Sequence, residues 1–303
     1  MDDVYHAGEL KVQEMAGVRI VAQRNGASVK PTIVKGASAF LRTQPLIVAS
    51  SVDKEGRVWS SLLTGPPGFI EPVSETTLTI SSKPAANDPM LENVDMNPQI
   101  GLLAIDFMRR IRLRINGKGR YDDTGKLWVT TEQVYGNCPK YIQKRSPKPI
   151  GGYHRSLSSS RRRHSLDSEQ QEWIRKSDTF FIGSVSSEGK ADASHRGGNP
   201  GFVKVVDVKT LLFPDYFGNS MFNTLGNIHS NPNSGLLFLD FKSGHSLQLT
   251  GRSHIVWDPI EISRFSGAER LVRFEVDEVV YTENGSPWQW DFDEFSPANP
   301  TLN

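Results

Sequence analysis

Arg110, Arg112 and Arg114 alternate with Ile111, Leu113 and Ile115 in the stretch RIRLRING. Side chains alternate along a strand, so the pattern predicts three guanidiniums on one face and three aliphatic groups on the other, core-facing one. Like charges in a row repel unless they face water or an anion. A solvated basic face is the plain explanation. A phosphate or other anion site is the sharper one, because planar arginine forks bind paired oxygens. A second stretch, Ser194-His195-Arg196-Gly197-Gly198, sets an imidazole and a cation beside glycines that admit close backbone approach. Capping of nearby carbonyls would account for it equally simply. A third, Pro214-Asp215-Tyr216-Phe217-Gly218-Asn219-Ser220-Met221, precedes a helical run whose first N–H groups suit a phosphate. Helix capping is the alternative for Asn219. Cys138, the only cysteine, reads as a small packing residue, since no base stands near it in sequence.

The elements that must position these residues occur twice. GLLAIDF at 101–107 returns as GLLFLDF at 235–241, a spacing of 134 residues. The same spacing relates Asn97-Pro98 to Asn231-Pro232, and Leu113, Ile115 and Gly117 to Leu247, Leu249 and Gly251. With a slip of one residue it continues upstream, where PPGFIEPVSETTLTI lies under NPGFVKVVDVKTLLF. Residues 46–122 and 180–256 are therefore two copies of one unit, too long for a solenoid repeat of about 20–50 residues. Each copy predicts five strands, the first two joined by a turn at Gly56 or Gly189, with a short helix before each Asn-Pro. Antiparallel strands with one helix point to a small barrel or closed sheet.

The copies differ in their polar residues. The fifth strand carries Arg110, Arg112 and Arg114 in the first copy, but Ser246, Gln248 and Thr250 in the second. The second strand carries Leu62-Leu63 in the first and His195-Arg196 in the second.

The flanks read as helical. ELKVQEMAG predicts an amphipathic helix ended by Gly17, and 130–145 a helix, a break at Gly136–Pro139 and a further helical turn. SEQQEWIRKSD predicts a helix with Ser168 as N-cap. Residues 146–168, rich in Ser, Gly, Pro and Arg, predict an interdomain linker that is the most mobile internal stretch. The tail PWQWDFDEF is aromatic and acidic.

With 303 residues the chain suits two domains, here 1–145 and 169–303 around the 146–168 linker. Lys plus Arg number 35 against 34 Asp plus Glu, so no global charge calls for nucleic acid or an anionic membrane. One cysteine excludes an intramolecular disulfide and a cysteine-only metal cage, and the seven histidines have no metal-ligand spacing. The first residues lack a secretory apolar run and no window approaches about 18 apolar residues, so a soluble, cytoplasmic protein is expected.

Taken together, YHAGELKVQ, GRVWSSLLTGPPGF, RRIRLRING, YGNCPKYIQ, DTFFIGSV, SHRGGNPGFV, FPDYFGNSMFNTLGNI and GLLFLDF through LQLTG resemble the pyridoxamine 5′-phosphate oxidase-like FMN-binding split-barrel family. The likeness is to its tandem subgroup and covers most of the chain. It implies a mainly β fold with flanking helices, two fused split barrels forming an intrachain pseudo-dimer, and FMN at their interface. Carried over by position, it implies cofactor contacts at Arg196, Lys204, Pro214, Ser220, Met221 and Ser246, with Arg112 as the first-copy counterpart of Ser246. Arg114, His195 and Asn219 join them from the residue patterns above. Enzymes of the family commonly carry an Arg-Lys pair where this chain has Ser220-Met221, and no cation stands at Leu63, so at most one good flavin site is expected. The resemblance implies an FMN-dependent oxidoreductase without naming its small-molecule substrate or electron donor. A non-catalytic flavin or haem-type binder, a cofactor-free interaction module, and a homodimer on top of the internal pair stay open.

Overall fold

The repeated sequence folds twice into the same sheet. The computed structural model describes residues 4–301 apart from 86, 137 and 152–158. Helices α1 (Ala7–Met15), α2 (Arg19–Gly26) and α3 (Lys35–Arg42) lead into the first barrel. It comprises β1 (Leu46–Val52), β2 (Val58–Thr64), β3 (Ile70–Ser74), β4 (Thr77–Ile80), α4 (Met90–Met96), β5 (Gln99–Asp106), β6 (Ile111–Tyr121) and β7 (Leu127–Gly136). Strands β8 (Lys144–Pro149) and β9 (Ser159–Arg163) and helix α5 (Ser168–Lys176) follow. The second barrel comprises β10 (Thr179–Val185), β11 (Ala191–Gly197), β12 (Lys204–Val205), β13 (Thr210–Tyr216), α6 (Asn223–Ser230), β14 (Asn233–Leu239), β15 (Ser246–Val256), α7 (Pro259–Ile262) and β16 (Ala268–Glu283). A last strand, β17 (Trp288–Glu294), pairs with β8.

The first sheet has the order β2-β1-β5-β6-β7-β4-β3 and the second β11-β10-β14-β15-β16-β13-β12, the same path strand for strand. All ladders are antiparallel. Even the irregularities coincide: register shifts at Asn116/Gly117 on β6 and at Thr250/Gly251 on β15. At both places a Cβ would collide with the carbonyl of the neighbouring strand, Thr130 or Glu275, which explains why both copies keep glycine.

The seven-residue repeat is apolar at nearly every position because each residue faces one of two cores. Leu102 and Ala104 fill the first barrel, while Leu103 and Ile105 face the second barrel. Leu236 and Phe238 fill the second barrel, while Leu237 and Leu239 face the first. The shared core adds Leu46, Val48 and Leu62 from one side, Phe181 and Ala193 from the other, and Trp290 from β17. Gly101 and Gly235 bring the backbones together. A Cβ on Gly101 would stand 2.5 Å from Asp192 Cα, and one on Gly235 2.5 Å from the Val58 carbonyl oxygen.

Four local expectations change. Residues 130–136 are strand, since Thr131, Val134 and Tyr135 are buried against the sheet and burial overrides a weak helical pattern. The stretch read as a linker carries β8 and β9, and β9 pairs with β16; its middle, 152–158, lies outside the described residues. The N-cap of α5 is Asp167, whose carboxylate accepts from Gln170 N at 2.9 Å, and Ser168 is the first helical residue. Leu113 and Ile115 point into the core, but Ile111, at the strand start, is exposed.

Because the Gly101 and Gly235 contacts set the approach of the barrels, Gly101→Ala or Gly235→Ala should lower unfolding stability by about 1–3 kcal/mol through overpacking. Gly36→Ala, on α3 with open space around it, should not. Denaturant unfolding of the three variants checks this, and an unchanged midpoint for both barrel variants would remove the glycines from the interface account.

Candidate functional site

Arg112 and Arg114 leave β6 on the face that meets β11 of the other barrel. Arg114 reaches furthest. Its NH1 lies 2.9 Å from Asp192 Oδ2 and its NH2 donates to Ser194 Oγ. Burial opposes its charge, but Asp192 and Tyr135 together outweigh that and hold the guanidinium charged. Among the described residues Arg112 has no carboxylate partner; its NH1 donates to His195 Nδ1 at 3.2 Å and to the His195 carbonyl at 3.3 Å. Burial, then Arg114 and Arg196, lower its pKa to about 9. Arg196 projects from β11 and gives NH1 to Ser194 Oγ at 3.2 Å, while its NH2 stands 3.8 Å from Asp215. The Nε atoms of Arg112, Arg114 and Arg196 are buried without an acceptor.

His195 is buried, and burial followed by Arg112 and Arg196 holds its pKa well below the usual imidazole value. It is neutral at pH 7. A guanidinium only donates, so Nδ1 is the acceptor and the proton sits on Nε2.

The opposite wall is β13 and the start of α6. Ser220 and Phe222 take positive φ of 60° and 61°, and Phe222 caps α6 without a side-chain hydrogen bond. Thr224 Oγ1, in the first turn, is buried with no partner. A helix start left uncapped by its own side chains presents N–H groups and a positive dipole end. The N-terminal helices brace this loop from behind. Gln13 Nε2 donates to the Met221 carbonyl at 2.9 Å and Asn25 Nδ2 to that of Asn219 at 2.6 Å. Asn223 Nδ2 donates to Glu9 Oε1 at 2.5 Å, and α1 crosses α6 where Gly8 and Gly226 permit close packing.

These walls enclose a cleft of about 380 Å³ between the barrels. Of the residues singled out from sequence, Arg112, Arg114, His195, Arg196, Pro214, Asn219 and Ser220 line it. Three do not. Lys204 sits over the Phe265 ring at 4.1 Å and donates to the Arg264 carbonyl. Met221 is buried with Tyr5, Ala22 and Tyr135. Ser246 starts β15, on the opposite side of the pseudo-twofold. Sequence reasoning did not find Arg270, Thr224, Trp257 or Tyr141, nor the place of Cys138 in the lining. Only the stretch YGNCPKYIQ, already conspicuous, signalled the last two. Among the described residues the lining holds five cations, Arg112, Arg114, Arg196, Arg270 and Lys140, against Asp215 and Glu269. With Asp192 on Arg114 included, two positive charges remain unbalanced.

At the pseudo-symmetric position the polar groups pair with one another around an acid. Gln248, the counterpart of Arg114, donates to the Ser60 carbonyl and to Asp88 Oδ2, both at 2.9 Å, and Ser61 Oγ donates to Asp88 Oδ1 at 2.7 Å. Arg162 of β9 lies over Trp59 and donates to the Asn87 carbonyl. Leu62 and Leu63 stand where the other cleft has His195 and Arg196. Among the described residues no group of acidic, His or Cys side chains could hold a metal ion, and no helix is long and apolar enough to cross a membrane.

The family model described as pyridoxamine 5′-phosphate oxidase matches the chain twice, over residues 33–151 and 166–286. A search of curated proteins gave no match. Solved structures that resemble part of the chain include an FMN-binding protein from Syntrophomonas wolfei (9% identity, 37% of this chain and 84% of that one, TM-score 0.30). Others are HutZ, the haem storage protein from Vibrio cholerae (12%, 40% and 96%, TM-score 0.30), and an FAD binding protein from Mycobacterium smegmatis (16%, 40% and 98%, TM-score 0.29).

Glu9 links the N-terminal brace to pH. Burial, first, and Asp192 raise its pKa to about 7, against hydrogen bonds from His6 and Asn223 and the charge of Arg114. A carboxyl raised in the folded state stabilises below its unfolded value near 4.5, and that contribution is lost as pH rises through about 7. Hydrogen exchange in α1 and α6 should therefore be slower at pH 6 than at pH 8 once corrected for intrinsic rates. Glu9→Gln should flatten that difference and slow exchange at pH 8. An equal pH response in the variant would exclude Glu9 as its source.

Proposed function

Because the chain belongs to the pyridoxamine 5′-phosphate oxidase family, matched over both barrels, we propose that it binds FMN noncovalently in the cleft between them and uses it in oxidation–reduction of a small molecule. The observation that carries this is the unbalanced charge: buried guanidiniums with donors left over, converging on an open helix start. A phosphate monoester carries about −1.5 to −2 at neutral pH, which matches an excess of two. The cleft volume falls in the range of ligand pockets, about 300–1,000 Å³.

In this arrangement Arg196, Ser220, Thr224 and the first N–H groups of α6 hold the phosphate. Arg112 adds charge from the other barrel, so neither half forms the site alone. Tyr141 and Tyr216, with ring centroids 5.0 Å apart, wall the cleft beside Pro214. His195 stays neutral and adds no further charge. The flavin would supply the electron-transfer chemistry, with the protein fixing its position and field. Since the pseudo-symmetric position centres on Asp88 and has Leu63 and Ser246 where this cleft has Arg196 and Arg112, one flavin per chain is expected.

Purified protein should show flavin absorption and one FMN per chain. Arg196→Ala should weaken FMN by tenfold or more, since a hydrogen bond to a charged group contributes about 1.5–3 kcal/mol and ~1.4 kcal/mol is tenfold. Riboflavin, lacking the phosphate, should be affected far less. Equal losses of both ligands would assign Arg196 to folding, a haem spectrum would replace the cofactor, and two flavins per chain would refute the single-site account.

A further inference from the structure

Arg270 faces Asp215 across the β13–β16 ladder, just where the register shifts between Asp215 and Tyr216. It is 3% exposed, and its guanidinium sits 4.7 Å from the Phe222 ring centroid and 5.5 Å from that of Trp257. It pairs with Glu269 and with Asp215, the latter through Nε and Oδ2 at 3.1 Å, an ion pair rather than an aligned hydrogen bond. The other oxygen of Asp215 stands 3.8 Å from Arg196. Asp215 is thus shared between two arginines and lies closer to Arg270. Arg196 is left with an Nε that has no acceptor.

We infer that Arg270 is a positioning residue for the anion site: it holds Asp215 off Arg196 and fixes the ring of Phe222, so that Arg196 and the start of α6 both stay open to a phosphate. This rests on the FMN reading above. Coulomb attraction grows as charges approach and is little screened at a buried site. Without Arg270, the Asp215 carboxylate would keep Arg196 as its cation, and an unpaired buried charge is costly enough to drive the two together. A carboxylate and a guanidinium close into a bidentate pair, which would occupy the fork that the ligand needs. The loss of phosphate affinity would then arise from Asp215. It should vanish when that charge is removed too, which a purely structural role for Arg270 does not predict.

FMN and riboflavin are titrated into wild-type protein, Arg270→Met, Asp215→Asn and the double variant. Arg270→Met should weaken FMN by about tenfold or more and leave riboflavin within about threefold. Adding Asp215→Asn should return FMN to within about threefold of wild type, a coupling that only interacting residues give. A double variant no better than Arg270→Met, equal losses of FMN and riboflavin, or no loss at all in Arg270→Met would each overturn the inference. Where Arg270→Met fails to fold by circular dichroism, Asp215→Asn alone decides: unchanged or tighter FMN binding supports the role, and a tenfold loss overturns it. No FMN binding by the wild type would sink the functional proposal and this inference together. Wild-type binding with failed rescue sinks this inference alone.

Discussion

The approach of the two barrels at Gly101 and Gly235 is the constraint on which the site depends. With no side chain at Gly101, the backbone of Asp192 can lie against β5, and its carboxylate then meets Arg114 from β6. The same approach sets Arg112 under His195. On the far side, Gly235 admits Val58 and places Ser60 Oγ 2.9 Å from the Gly235 carbonyl oxygen. A methyl group at either glycine would push a second strand away from its partner sheet, and the cleft residues contributed by different barrels would lose their contacts. Packing here precedes chemistry, because the cleft exists only between the halves.

Duplication gave two equivalent places, and the side chains took them in opposite directions. Around Asp88 the polar groups satisfy one another: Gln248 and Ser61 donate to the acid, and leucines replace the cation and imidazole. Burial raises the pKa of Asp88 despite those hydrogen bonds, so what charge it carries repels an anion. Around Arg112 the donors outnumber the acceptors. The backbone is the same in both, and a few substitutions between β2 and β11 and between β6 and β15 separate an internally paired acidic position from a cationic cleft. The strand β9 brings Arg162 to the Asp88 side.

The duplicated architecture was legible because repetition is independent of local propensity: a constant spacing of 134 residues needs no structural interpretation. The face of β6 was legible too, since alternation of Arg with Ile and Leu reports strand geometry directly. Other features were hidden for physical reasons. TTEQVYG has mixed propensities, and its strand state is decided by pairing with β4 and β6. Arg270 lies on β16, a strand beyond the detectable repeat, and it meets Asp215 only through sheet pairing more than fifty residues apart in sequence. Positional analogy selected Lys204, Met221 and Ser246, but position in a chain does not fix side-chain direction. Lys204 turns to Phe265, Met221 packs behind the loop, and Ser246 belongs to the other half of the pseudo-twofold.

The charges in the cleft are tolerated because most are anchored. Arg114 is tied to Asp192, and Arg270 to Asp215 and Glu269, so their burial is compensated at once. Arg112 and Arg196 are the exceptions, and burial lowers the pKa of both. An unpaired guanidinium at depth costs the fold stability, and a cavity or a hydrophobic replacement would cost less. The pseudo-symmetric position demonstrates that replacement with Leu63 in place of Arg196. Retaining two incompletely paired cations next to an open helix start is therefore a poor solution for packing and a good one for holding an anion. His195 fits the same logic. A protonated imidazole there would add a further unpaired charge, and burial, with its two arginine neighbours, keeps it neutral, so the field in the cleft is set by guanidiniums that do not titrate near neutral pH.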